Sequence, residues 1–135
     1  MTNLTDIIFE LSAPYDNPYQ GSETRVLFVC SAGLLRSATA ANYYASKGYN
    51  TRAAGSSSYA LIPLSANLIA WAQLIVFVNK ENYEEAMCVF KDEDNAADKL
   101  VNSIVLNIPD EFSYKDKKLI AALKTQLKNI LPIYN

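Results

Sequence analysis

Histidine is absent from all 135 residues, and with it go every Ser-His-Asp or Cys-His catalytic arrangement and nearly every zinc site. Any catalysis must run on other groups. Cysteine occurs only twice, as Cys30 and Cys88, too few for the disulfide framework of a small secreted domain, so a reducing cytoplasm is the expected setting. A surplus of positive charge is also missing: 12 Lys and Arg face 14 Asp and Glu, for a net charge of -2. That balance argues against nucleic acid as the principal partner. No apolar run approaches the roughly 20 residues that a membrane helix needs, and Met1 is followed by Thr2-Asn3-Leu4-Thr5-Asp6 without the positive start of a signal peptide. The expectation is a cytoplasmic protein with no membrane contact.

What remains is a chain that is 50% hydrophobic and 19% charged, suited to one compact domain with a real core and unlike a disordered acidic tail. No internal repeat or low-complexity segment interrupts it. Residues 1–24 hold a short apolar patch, Ile7-Ile8-Phe9, then a turn-rich stretch from Ala13 to Ser22 with two prolines, and read as an N-terminal extension. Residues 25–135 read as a single domain. Val26-Leu27-Phe28-Val29 is a continuous apolar run of strand length, as expected of a strand buried on both faces. Arg36 to Lys47 is helix-prone and stops at Gly48.

Thr51 to Ala54 predicts a second strand, Pro63 is placed to open a short helix through Trp71, and Leu74 to Val78 forms the second apolar run. Asn79 suits an N-cap ahead of a helix from Lys80 to Lys91. Cys88, among Met87, Val89 and Phe90, reads as core on that helix. Asp92 to Lys99 reads as loop with a short helical turn, and Ser103 to Leu106 as a last strand. Leu119, Ile120, Leu123, Leu127, Ile130 and Leu131 recur at helical spacing and mark a closing amphipathic helix. Strands alternating with helices predict a three-layer α/β/α fold around a mainly parallel sheet of about four strands. Ligands bind such sheets at the carboxyl ends of the strands.

The loop after the first strand, Cys30-Ser31-Ala32-Gly33-Leu34-Leu35-Arg36-Ser37, therefore draws attention. It puts a thiol at the end of a buried strand and an arginine and a serine at the start of a helix. Successive backbone amides in a tight loop form an anion-binding nest, and the helix N-terminus adds about half a positive charge. Arg36 can grip two anion oxygens at once, whereas lysine offers only a point charge. An arginine at a helix start opposes the helix dipole, so helix propensity does not explain it. A thiolate facing a bound phosphate is an activated nucleophile.

Cys30, five intervening residues, Arg36 and Ser37, set between a strand and a helix, resemble the signature of the low-molecular-weight protein tyrosine phosphatases. Further similarities are Ala53-Ala54-Gly55-Ser56, Ala72 to Val78, and Leu106-Asn107-Ile108-Pro109-Asp110-Glu111-Phe112, which is similar to a stretch of a compact bacterial and phage branch. The resemblance covers about residues 25 to 131. It implies that Cys30 attacks phosphorus, that residues 31–37 cradle the phosphate with Arg36 on its oxygens, and that a cysteinyl phosphate forms and is hydrolysed. Ser37 would hydrogen-bond the sulfur. No metal or cofactor is implied, and the partner would be a phosphotyrosine protein or a small phosphomonoester.

Asp110, in the loop after the last strand, is the expected general acid and base. The chain departs from the family at Gly33, where a loop asparagine is usual, at Ala38 and Ala41, where Pro and Glu are common, and at Asn107, where many relatives have Asp. If position 107 carried the acid, Asn107 could not supply the proton, and a non-catalytic protein that binds phosphorylated partners is the alternative. An arsenate reductase of the same fold is a rival reading, but its thioredoxin-coupled members need two further cysteines, and only Cys88 is available. Phosphocysteine carriers share Cys-Ser-Ala-Gly but lack the arginine. Tyr59, Phe112 and Tyr114 lie in loops that could rim the pocket, while Tyr43 and Tyr44 read as packing.

Overall fold

The computed structural model describes residues 23–32 and 35–133. The segment read as an N-terminal extension falls almost wholly outside them, as do Gly33 and Leu34 in the middle of the candidate loop. Strand β1 (Arg25–Cys30) occupies an inner position, with Val26, Leu27, Phe28 and Val29 all fully buried. This is why its sequence is apolar without alternation: helices cover both faces of the sheet. After β1 come α1 (Arg36–Ala45), β2 (Asn50–Gly55), α2 (Ala66–Trp71), β3 (Leu74–Phe77), α3 (Lys80–Phe90), α4 (Asp94–Val101), β4 (Ile104–Val105) and α5 (Lys117–Gln126). The strands lie in the order β2-β1-β3-β4, and every pairing is parallel.

Alternate residues of β1 feed two cores. Val26, Phe28 and Cys30 join Ala40, Ala41 and Tyr44 of α1 and Leu119 and Leu123 of α5. Leu27 and Val29 join Leu68 and Ile69 of α2, Ala86 and Phe90 of α3, and Ala96 and Leu100 of α4. Helices α1 and α5 thus cover one face and α2, α3 and α4 the other, the expected three layers. Tyr44 stacks on Phe28 with ring centroids 5.7 Å apart and meets Tyr43 edge-on, so the tyrosine pair serves packing.

Several local features differ from the sequence reading. Helix α2 opens at Ala66, because the Ser65 side chain accepts from the Leu68 amide as an N-cap; Pro63 instead sits in a bridge with Gly55. The polar stretch after Lys91 forms a full helix, α4, whose Ala96 and Leu100 are buried one turn apart. Cys88 is exposed rather than core. The buried stripe of α3 is Asn82, Ala86 and Phe90, at steps of four, and a residue two positions past Ala86 points about 200° away from it. Helix α5 ends at Gln126, yet the spacing of four continues through the buried Leu119, Leu123, Leu127 and Leu131. Ile130, off that stripe, is exposed. Among the described residues no helix is long and apolar enough to cross a membrane.

Candidate active site

Strands β1 and β3 are neighbours, but the chain leaves β1 toward β2 on one side and β3 toward β4 on the other. Such a reversal opens a crevice at the carboxyl ends of the two strands, and Cys30 ends β1 at that edge. The chain beyond β2 holds the start of the loop that follows from outside. Ser56 N–H donates to the Cys30 carbonyl at 2.8 Å, Ser57 N–H to that of Ser31 at 3.0 Å, and Leu61 N–H to that of Ala32 at 3.1 Å. The approach is so close that only glycine fits at the end of β2. A Cβ on Gly55 would lie 2.5 Å from Ala60 Cβ and 2.6 Å from both Ala32 C and Ser31 O.

Within the loop, Cys30 Sγ lies 3.1 Å from Ser37 Oγ, and both residues are buried. A serine hydroxyl in this position can donate to a thiolate. The Arg36 side chain is only 4% exposed. Its Nη1 donates to the Ile108 carbonyl at 2.8 Å, its Nη2 to Ser31 Oγ at 3.5 Å, and its Nε stands 3.6 Å from Asp110 Oδ1. A buried guanidinium is costly without a matched counter-charge. Asp110, the carboxylate paired with it, is itself 71% exposed, so the charge is not neutralised by a buried partner at that contact. Helix α1 adds to the positive field: no side chain caps its start among the described residues, and its first turn holds no acid. Thiol, guanidinium and uncapped helix end together suit an oxyanion.

Asp110 reaches this place because the chain continues alongside β3 past the end of β4. Leu106 N–H donates to the Phe77 carbonyl at 2.7 Å and Ile108 N–H to that of Val78 at 2.9 Å. Pro109 then turns the chain, and Asp110 follows beside Arg36. The backbone of Asn107 is pinned to α5: its N–H donates to Gln126 Oε1 at 2.7 Å and its carbonyl accepts from Gln126 Nε2 at 3.0 Å. Of the two positions weighed for the acid, 110 is thus the one whose side chain is paired with the arginine.

Of the three loop aromatics, Tyr59 is 78% exposed in the segment that holds the loop. Phe112 is half-buried against the core under α1 and α5. The Tyr114 hydroxyl is buried without a partner among the described residues, and burial pushes its pKa up. Lys115 N–H donates to Thr39 Oγ1 at 2.9 Å, tying that loop to α1.

One group of residues escaped the sequence reading. Asn82, on the buried stripe of α3, donates from Nδ2 to Ser31 Oγ at 3.0 Å and to Ser56 Oγ at 3.3 Å. Ser56 Oγ donates to Glu85 Oε1 at 2.9 Å, and Ser57 Oγ to Glu85 Oε2 at 3.2 Å. The available signal was a polar residue in phase with Ala86 and Phe90, where an apolar one is expected. Among the described residues no three His, Cys, Asp or Glu side chains form a group that could hold a metal ion. Comparison with protein-family models, curated proteins and solved structures returned no match.

Proposed function

We propose that the chain is a cysteine-dependent phosphomonoester hydrolase, a protein tyrosine phosphatase similar to the low-molecular-weight family, acting in the cytoplasm on phosphotyrosine protein or a small phosphomonoester. One observation carries the reading: a buried thiol, 3.1 Å from the Ser37 hydroxyl, shares a loop with a buried guanidinium whose paired carboxylate is exposed. The Cys30 thiolate forms a bond to phosphorus as the bond to the ester oxygen breaks, and Asp110 gives its proton to that oxygen. Water then attacks phosphorus while the Asp110 carboxylate takes its proton. The sulfur–phosphorus bond breaks, returning inorganic phosphate and the thiolate. Arg36, with the loop amides, carries the charge on the transferring oxygens. Ser37 stabilises the thiolate as it leaves in the second step.

Hydrolysis of p-nitrophenyl phosphate and of a phosphotyrosine peptide by wild type, Cys30→Ser, Asp110→Asn and Asn107→Asp tests this reading. The expected result is turnover by wild type, none by Cys30→Ser, and a larger loss for Asp110→Asn on the peptide than on the aryl ester, whose leaving group needs little acid help. An inert wild type revived by Asn107→Asp would overturn the assignment and favour a protein that binds phosphate without turning it over.

A further inference from the structure

Asn82 is only 1% exposed, and its Oδ1 has no hydrogen-bond partner among the described residues. A buried amide carbonyl left unpaired costs stability, and the neighbouring stripe residues, Ala86 and Phe90, show what this face of α3 otherwise carries. What the amide does accomplish is at its other end. Nδ2 bridges Ser31 Oγ, in the residue after the nucleophile, and Ser56 Oγ, in the segment that grips the loop. Ser31 Oγ also faces Arg36 Nη2, and Ser56 Oγ donates on to Glu85. The chain of contacts thus runs from a surface carboxylate through Ser56, Asn82 and Ser31 to the guanidinium.

We infer that Asn82 is a positioning residue for the phosphate loop: its amide fixes Ser31 and, through it, the pose of Arg36 toward a bound phosphoryl group. The inference rests on the phosphatase reading above. The Asn82 amide bonds to Ser31 and Ser56; it acts through Ser31, and its removal should be felt as a looser oxyanion site. Misplacement of catalytic groups by about 1 Å costs on the order of 100-fold in rate, and loss of an outer-shell partner about 10- to 100-fold.

The test compares wild type, Asn82→Leu, Ser31→Ala and the double variant by calorimetric titration with inorganic phosphate, steady-state hydrolysis of p-nitrophenyl phosphate, and thermal melting. Leucine matches the apolar stripe and removes the orphaned carbonyl, so Asn82→Leu should melt at or above the wild-type temperature while phosphate affinity and kcat each fall about 10-fold or more. In the Ser31→Ala background the same change should do little further, because the shared contact is already gone. Wild-type phosphate affinity and kcat in Asn82→Leu, or losses that simply multiply in the double variant, would overturn the inference and leave the phosphatase reading standing. A wild type that neither binds phosphate nor turns over would remove both.

Discussion

Gly55→Ala offers a sharp test of how the loop is held. A Cβ at position 55 would sit 2.5 Å from Ala60 Cβ and 2.6 Å from backbone atoms of Ser31 and Ala32. Ordinary contact begins about 0.8 Å further out, and two of the three obstacles are main chain, which no rotamer change can clear. The loop must therefore move away from β2, straining the hydrogen bonds from Ser56, Ser57 and Leu61 to the carbonyls of Cys30, Ser31 and Ala32. Overpacking of this kind costs about 1–3 kcal/mol. Weakening one or two of the three bonds adds about 1 kcal/mol each, for a total near 3 kcal/mol. In a domain of this size that lowers Tm by about 10 °C. Displacement of the loop by more than half an ångström should also cost at least about 10-fold in kcat on p-nitrophenyl phosphate. Gly48→Ala is the control: φ there is +99° with nothing within 4 Å, so the expected loss is about 1 kcal/mol of backbone strain with activity unchanged. A Gly55→Ala protein that melts within 2 °C of wild type (roughly the resolution needed here) and keeps its kcat would refute the reasoning.

Other outcomes follow from the same contacts. Arg36→Lys keeps the charge but loses the two-pronged grip; inorganic phosphate should inhibit at least about 10-fold less well, and unchanged inhibition would remove Arg36 from the anion site. Tyr44 is fully buried, its hydroxyl has no partner among the described residues, and burial together with Tyr43 and Tyr49 raises its pKa to about 12. The folded state therefore holds a proton that the unfolded chain releases near pH 10, so stability falls as pH rises from about 10 to 12. Tyr44→Phe should flatten that part of the pH–Tm curve and cost nothing at pH 7; a clear loss at pH 7 would mean the hydroxyl is hydrogen-bonded.

Much of the fold was legible because burial on both faces leaves a plain mark on the sequence. The runs Val26–Val29 and Leu74–Val78 have the length of strands rather than helices and are apolar throughout, which marks inner strands, and Gly48 and Asn79 punctuate the helices around them. The start of α2 was misplaced because Pro63 and Ser65 both suit a helix entrance, and only the Leu68 amide meeting the Ser65 hydroxyl decides between them. Cys88 was misread because its neighbours Met87, Val89 and Phe90 are apolar, whereas the helix turns each of them to a different direction. In the site, Cys30, Arg36 and Ser37 stood out through their spacing and their place between a buried strand and a helix start. Asp110 depended on how far the chain runs beside β3 after β4, which follows from the pairing of Leu106 and Ile108 and not from local pattern. Asn82 showed only as a polar residue in the apolar phase of its helix; its partners Ser31 and Ser56 are 51 and 26 residues away, a relation that no window along the chain contains.

The most direct test of the account is to mix the protein with p-nitrophenyl phosphate, quench within the first turnovers, and map phosphoryl adducts by mass spectrometry. Wild type is expected to carry a phosphoryl group on Cys30, accumulating further in Asp110→Asn, where water is activated poorly, and absent in Cys30→Ser. Turnover without any adduct on Cys30, or turnover that survives Cys30→Ser, would contradict it.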